Sequence, residues 1–247
     1  MTQTGTDAGG TLKQYYTHLL EQLGPQGWWP GRTRLEIILG AILTQNTTWT
    51  NAARALRQLR KRGLLTLARL RAVSLTELEA DLRPAGFFRQ KARTIRTFIE
   101  WLSAEYGGSL RAMFARPTAE LRRELLRLPG LGPETVDAIL LYAGRQPFFV
   151  ADGYSRRILA RHELVPAGIS YAALQQFMHQ ELPTEQVFFN EFHALLVDVG
   201  KRWCKRRQSR CYDCVLRDFL PAASRADATR IAFPGGVAAP EIQLQRR

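Results

Sequence analysis

Apolar residues recur along most of this chain at intervals of three and four. Leu12, Tyr15, Leu19 and Leu23 fall on one helical face, Leu35, Ile38, Leu39 and Ile42 on a second, and Ala52, Leu56 and Leu59 on a third. No stretch alternates apolar and polar residues as a half-buried strand would. Gly63, Pro84-Ala85-Gly86, Gly107-Gly108, Pro117, Pro129 to Pro133, Pro147, Pro166 and Pro183 interrupt the period, because proline removes a helical donor and glycine loosens the backbone. The spacing predicts an all-α protein of about ten helices. The period fades in AASRADATRIAFPGGVAAPEIQLQRR, so 221–247 reads as a loose tail without chemistry of its own.

Composition adds a partner. The chain has 247 residues, 45% of them hydrophobic, which is enough for two modest cores or one large one. Its 35 Lys and Arg against 22 Asp and Glu leave a formal charge of +13, which points to a polyanion, nucleic acid foremost. A bias toward arginine is the bland alternative, since the lysines are only Lys13, Lys61, Lys91, Lys201 and Lys205. No apolar run reaches the roughly 18 residues of a membrane span. The polar start MTQTGTDAGG does not read as a signal peptide. The expected location is therefore the cytoplasm, associated with the nucleoid, with no membrane partner and as a monomer. Three cysteines crowded near the C-terminal end do not make a disulfide framework.

Chemistry concentrates in LPGLGPETVDAILLYAGRQPFFVADGYSRRILA at 128–160. Pro129-Gly130-Leu131-Gly132-Pro133 separates two helical patterns, and Pro133 suits the first position of the second helix. Such a turn exposes backbone N–H groups beside the free amides of a helix start, an arrangement able to hold a DNA phosphate, with Gly130 and Gly132 letting the backbone come close. A lone PGxG would also fit an ordinary helix connection. Asp152, opening the next helix after Phe148-Phe149-Val150, adds a carboxylate at a fixed remove; an N-cap is its structural alternative.

LPGLGPETVDAIL followed by VADGYSRRILAR resembles the helix-hairpin-helix and catalytic-aspartate signature of the endonuclease III superfamily of DNA glycosylases. ILGAILTQNT is similar to that family's early helix, PAGFFRQKA to its wedge loop and WCKRRQSRCYDC to its cysteine loop, so the likeness covers most of the chain from Trp28 onward. It implies two helical domains flanking a DNA-binding cleft: a six-helix barrel at 34–148 carrying the hairpin, and a second domain from 1–33 plus 149–220. It also implies double-stranded DNA with a damaged base as partner.

Two departures narrow the expectation. Bifunctional members carry a lysine nucleophile where this chain has Glu134, and a carboxylate cannot form the Schiff base that strand cleavage needs. Asp152 remains to stabilise the developing charge and orient water, so chemistry is expected to stop at base excision. Cys204, Cys211 and Cys214 match the family's iron–sulfur loop, but Leu220 stands where the fourth thiolate belongs. No metal or cofactor is therefore expected; a foreign ligand such as Asp218, or a zinc site, is the alternative. Lys201, Arg202, Lys205, Arg206, Arg207 and Arg210 around that loop could still face phosphates.

GWWP at 27–30 and TQNTTW at 44–49 resemble the 3-methyladenine DNA glycosylase branch. That likeness maps Trp28, Trp29 and Trp49 onto aromatics that sandwich a flipped base, with Glu134 facing the same cavity and Lys201 at a pocket position. It implies that Gln45 fills the gap left by the flipped base and Phe87 wedges the opposite strand. Core packing is the alternative for the tryptophans, and a buried loop anchor for Phe87. Lys91 reads most simply as a phosphate contact. The expected protein is a monofunctional glycosylase of alkylated purines; a mismatch adenine or uracil/thymine glycosylase, a glycosylase/lyase and a non-enzymatic DNA-binding protein stay open.

Overall fold

Helices begin where a polar side chain takes up the free amides of a first turn. Asp7, Thr33, Thr48, Thr66 and Ser74 cap α1 (Ala8–Leu23), α2 (Arg34–Leu43), α3 (Trp49–Lys61), α4 (Leu67–Ala72) and α5 (Leu75–Leu82) in this way, and Glu77 completes a capping box at α5. The computed structural model describes residues 7–222. α6 (Phe88–Tyr106), α7 (Leu110–Phe114), α8 (Thr118–Leu126), α9 (Pro133–Ala138), α10 (Gly153–Arg161), α11 (Tyr171–Glu181) and α12 (Gln186–Arg202) complete twelve α-helices, with no strand among the described residues. The fold is all-α, as the periodicity predicts. The count exceeds ten because α4 and α7, of 6 and 5 residues, are too short to display an apolar stripe. Of the predicted tail at 221–247, only Pro221 and Ala222 lie within the described residues.

α2 is buried on almost every side, from Leu35 to Leu43, and packs against α3, α6, α9 and the wide helical turn Ile139–Ala143 that prolongs α9. Its one buried charge, Glu36, is paired with Arg60 and accepts from the Arg32 amide at 2.9 Å, as burial of a carboxylate requires. α10 and α1 pack on α12, and α11 on α1. One continuous apolar core runs through both groups of helices. Part of the site is therefore built on helix ends held by packed interior, and part on the connections that carry Trp28, Trp29 and Gln45.

The structure corrects the reading of Lys91. Its side chain is 2% exposed, and Nζ donates to the carbonyls of Leu43 at 2.9 Å and Ala85 at 2.8 Å. Lys91 ties the end of α2 to the loop before α6; it does not reach phosphate. The apolar stem fills the interior while the amine satisfies two carbonyls that would otherwise be unpaired. Burial lowers its pKa to about 8.

Candidate active site

Asp152 serves as both helix cap and candidate catalyst. Oδ1 accepts from Tyr154 N at 3.0 Å, Ser155 N at 2.8 Å and Ser155 Oγ at 2.9 Å, which starts α10. Oδ2 is free of the helix and lies 3.5 Å from Nε2 of His193 on α12. Burial pushes the carboxyl upward, but His193 and the Ser155 donors outweigh burial and hold it below the ordinary aspartate value. Asp152 is thus kept ionised at a buried position.

A cavity of about 530 Å³ opens beside it, lined by Trp28, Trp29 and Trp49, by Glu134 and Thr135 of α9, and by His193, Val197 and Lys201 of α12. It adjoins a trough of about 700 Å³ that shares Asn46, Glu134, Asp152, Tyr154 and Lys201 and adds Arg156, Arg157, Lys205 and Arg206. A chamber of ligand size opening onto a cationic trough suits a flipped nucleoside whose backbone stays outside. Glu134 is open to solvent yet stands between these walls; desolvation and then the nearby Asp152 charge raise its carboxyl pKa. Burial likewise lowers the Lys201 amine.

The three tryptophans meet here, but not as the expected sandwich. Trp28 and Trp49 lie edge to face with centroids 5.1 Å apart and planes at 69°, and Trp29 meets Trp49 at 5.3 Å and 87°. A base held between two rings needs parallel faces with a gap, and the Trp28/Trp49 pair offers neither. Lys201 Nζ lies over the Trp28 ring at 5.2 Å, a cation–π contact on that indole. Trp29 packs against Gly40 of α2, where a Cβ would stand 2.9 Å from the indole nitrogen, and its ring touches Tyr142 at 5.2 Å.

The hairpin joins α8 to α9, with Pro133 at the first helical position. Gly130 has φ +88°, and a Cβ there would fall 2.0 Å from Thr94 Oγ1 of α6. Its bare backbone thus serves a protein contact. Gly132 has ordinary φ but nothing within 4 Å of a notional Cβ, so that face of the turn is open. Gln45 reaches the same turn, its Nε2 donating to Gly130 O at 2.9 Å and Thr135 Oγ1 at 2.8 Å. Phe87 is 65% exposed at φ +47° and is no buried anchor. A bulky residue held in the left-handed region and exposed to water suits a wedge.

Sequence reasoning passed over His193 and Tyr142. Tyr142, in the wide turn after α9, hydrogen bonds His193 Nδ1. A signal was present: His193, Val197 and Lys201 follow each other at four-residue steps on α12, so the face presenting Lys201 also presents His193.

At the cysteine loop, Cys204, Cys211 and Cys214 line a small cavity with Arg161, Leu216 and Leu220. Leu220 is 3% exposed, and Arg161 donates to Cys204 Sγ at 2.9 Å. Burial raises the Cys204 thiol and moves Cys214 up to about 11. Asp218 is exposed and absent from this lining. His162 lines the cavity too, but its Nδ1 is taken by Tyr15 at 2.7 Å. This donor set does not fit a four-thiolate cluster. Of the surrounding cations, Lys201, Lys205 and Arg206 line the trough, whereas Arg202 pairs with Asp198 and Arg210 with Asp213.

Residues 39–184 match the HhH-GPD superfamily of base excision DNA repair proteins, and the chain belongs to that family. MJ1434 of Methanocaldococcus jannaschii, provisionally named a DNA repair glycosylase, is 36% identical over 209 residues, 84% of this chain and 94% of that protein. Endonuclease III of Sulfolobus acidocaldarius is 28% identical over 192 residues, 76% of this chain and 83% of its own. Among solved structures, H. pylori 3-methyladenine DNA glycosylase (MagIII) bound to 1,N6-ethenoadenine superposes with TM-score 0.69 at 26% identity, covering 80% of this chain and 98% of its own. A non-covalent endonuclease III–DNA complex superposes with TM-score 0.76 at 22% identity, covering 90% of this chain and 98% of its own, a likeness of fold. The protein is a base excision repair DNA glycosylase, an enzyme acting on DNA.

Proposed function

We propose that the enzyme is monofunctional and hydrolyses the N-glycosidic bond of a flipped, alkylated purine of the 3-methyladenine type in double-stranded DNA. The observation that carries this reading is Glu134: at the hairpin position where a lyase needs an amine, a carboxylate stands in the cavity beside Asp152. In the proposed step a water oxygen bonds to C1′ while the C1′–N bond breaks and its electron pair leaves on the base. Asp152 Oδ2 stabilises the oxocarbenium-like charge and takes the water proton. An N-alkylated purine begins cationic and leaves neutral, so no acid is needed at the base. Two carboxylates and three indoles around the cavity favour such a ring, as does the likeness to a 3-methyladenine glycosylase.

In the same reading Gln45 and Phe87 enter the duplex, Gly130 and Gly132 meet phosphate, and the enzyme acts as a cytoplasmic, nucleoid-associated monomer without an iron–sulfur cluster. The helices of 34–148 form the barrel, and 149–220 with 1–33, of which 1–6 lie outside the described residues, the second domain. A second reading has its own observation: Lys201, with its amine lowered by burial, lines the same cavity and could act as a lyase nucleophile. A panel of duplexes, each with one defined lesion, separates these readings when scored for released base, strand nicking and borohydride trapping. Released 3-methyladenine with an intact strand and no trapped complex is expected. Release of thymine glycol or uracil with no alkylpurine would overturn the substrate, and trapping abolished by Lys201→Met would overturn the monofunctional mechanism.

A further inference from the structure

The hydrogen bonds around Asp152 divide its two oxygens. Oδ1 has three donors from its own helix start, while Oδ2 faces Nε2 of His193, on a different helix and at 3.5 Å. His193 is 6% exposed, and its Nε2 is a buried polar atom with no hydrogen bond of its own. The other ring nitrogen is engaged by the Tyr142 hydroxyl, also buried. A carboxylate only accepts, so a hydrogen bond to Oδ2 needs the proton on Nε2; in a neutral imidazole Nδ1 is then the acceptor and the Tyr142 hydroxyl its donor. Burial and nearby carboxylates keep Tyr142 a neutral phenol, able to donate.

We propose that His193 is the positioning residue for Asp152: through Nε2–H it aims Oδ2 at the reacting sugar and holds it ionised, with Tyr142 locking the imidazole. The proposal rests on the glycosylase reading for what Asp152 does, but the pairing itself stands on geometry. A contact of 3.5 Å is long for a hydrogen bond, and such contacts tighten when substrate displaces water from the site. The same chain extends to the base pocket, since Tyr142 also touches Trp29. Other groups facing this corner are Glu134 from α9 and Lys201 from α12, with Arg156 of α10 farther along the trough. Glu134 opposes ionisation of Asp152 and the two cations favour it, so removal of His193 leaves burial less opposed. The sign follows: the Asp152 pKa rises, and the rising acid limb of the rate profile moves to higher pH.

The test compares wild type with His193→Phe, which keeps ring volume, His193→Gln, which restores a donor toward Oδ2, and Tyr142→Phe. Single-turnover excision on an alkylated duplex is measured against pH with Kd for the same duplex, and Asp152 is titrated by carboxyl ¹³C NMR. His193→Phe should slow excision at neutral pH about 10-fold or more with Kd nearly unchanged, and raise the Asp152 titration by about one pH unit. His193→Gln should recover part of both, and Tyr142→Phe should show a smaller change of the same sign. An Asp152 titration that does not move in the Phe variants, or slower excision with an unshifted limb and no recovery by Gln, overturns the proposal. If wild type releases no base from any duplex, the glycosylase reading fails on its own, while the carboxyl titration still judges the His193 pairing. Should His193→Phe not fold, the Gln and Tyr142→Phe variants decide by the same titration.

Discussion

At the cavity Glu134 stands where the resemblance places a lyase's lysine, and its surroundings are polar: Asp152 has three donors on one oxygen and a histidine beside the other. At the cysteine loop Leu220 stands where the resemblance places a fourth thiolate, and it is packed into the wall of a small cavity. Leu216 and Leu220 are buried in the cavity wall, and Arg161 bonds the thiol of Cys204. Both places depart from the pattern by one residue. On the proposed reading, the first departure changes which reaction is possible and the second changes what holds the loop.

Three measurements bear on that contrast. Asp152→Asn should lower excision by about 10²–10⁴-fold while lesion-duplex Kd stays near wild type, because the carboxylate acts mainly on transition-state charge. Turnover near wild type would remove the difference between the two regions. Leu220→Ala should lower stability by about 2–5 kcal/mol in denaturant unfolding through the cavity it leaves, with excision of the folded fraction unchanged. Cys211→Ser should have the smallest effect, about 0.5 kcal/mol or less, since this partly exposed thiol has no hydrogen bond among the side-chain contacts described. Stoichiometric iron in the purified protein, lost in Cys211→Ser together with stability, would show that the loop is held by a cluster after all.

The helices, the hairpin and the cap role of Asp152 were legible because each depends on local pattern: period, a proline at a helix start, an acid before a first turn. Lys91 was not. A lysine near a glycine-rich loop in a basic chain reads as a phosphate contact, and only the fold reveals the Leu43 and Ala85 carbonyls that claim it. The distinction can be measured. Lys91→Met should cost about 1–3 kcal/mol by leaving those carbonyls unpaired, and should leave the salt dependence of DNA binding unchanged. With a folded pKa of about 8 against a higher unfolded value, the unfolded chain binds the extra proton between them. Wild-type stability therefore gains a rising contribution above pH 8 from this residue, absent in Lys91→Met. The tryptophans were legible as a group but not as an arrangement, since sequence order cannot set the angle between Trp28 and Trp49. His193 lies far along the chain from Asp152, and its partnership is a product of α10 packing on α12.

Gln45 has a consequence for how the enzyme would travel along undamaged duplex. Its amide is tethered to the hairpin by two hydrogen bonds, to Gly130 O and Thr135 Oγ1. To enter a base stack it must release both, at about 1 kcal/mol each. If Gln45 enters the duplex as proposed, its side chain would start from this tethered position, fastened to the very turn proposed to sit on phosphate. Intact base pairs, which resist opening, would leave it tethered; a weakened pair would let it exchange hairpin partners for an orphaned base. On that proposed reading, interrogation and anchoring would be one coupled event, drawing on a glutamine held in reserve.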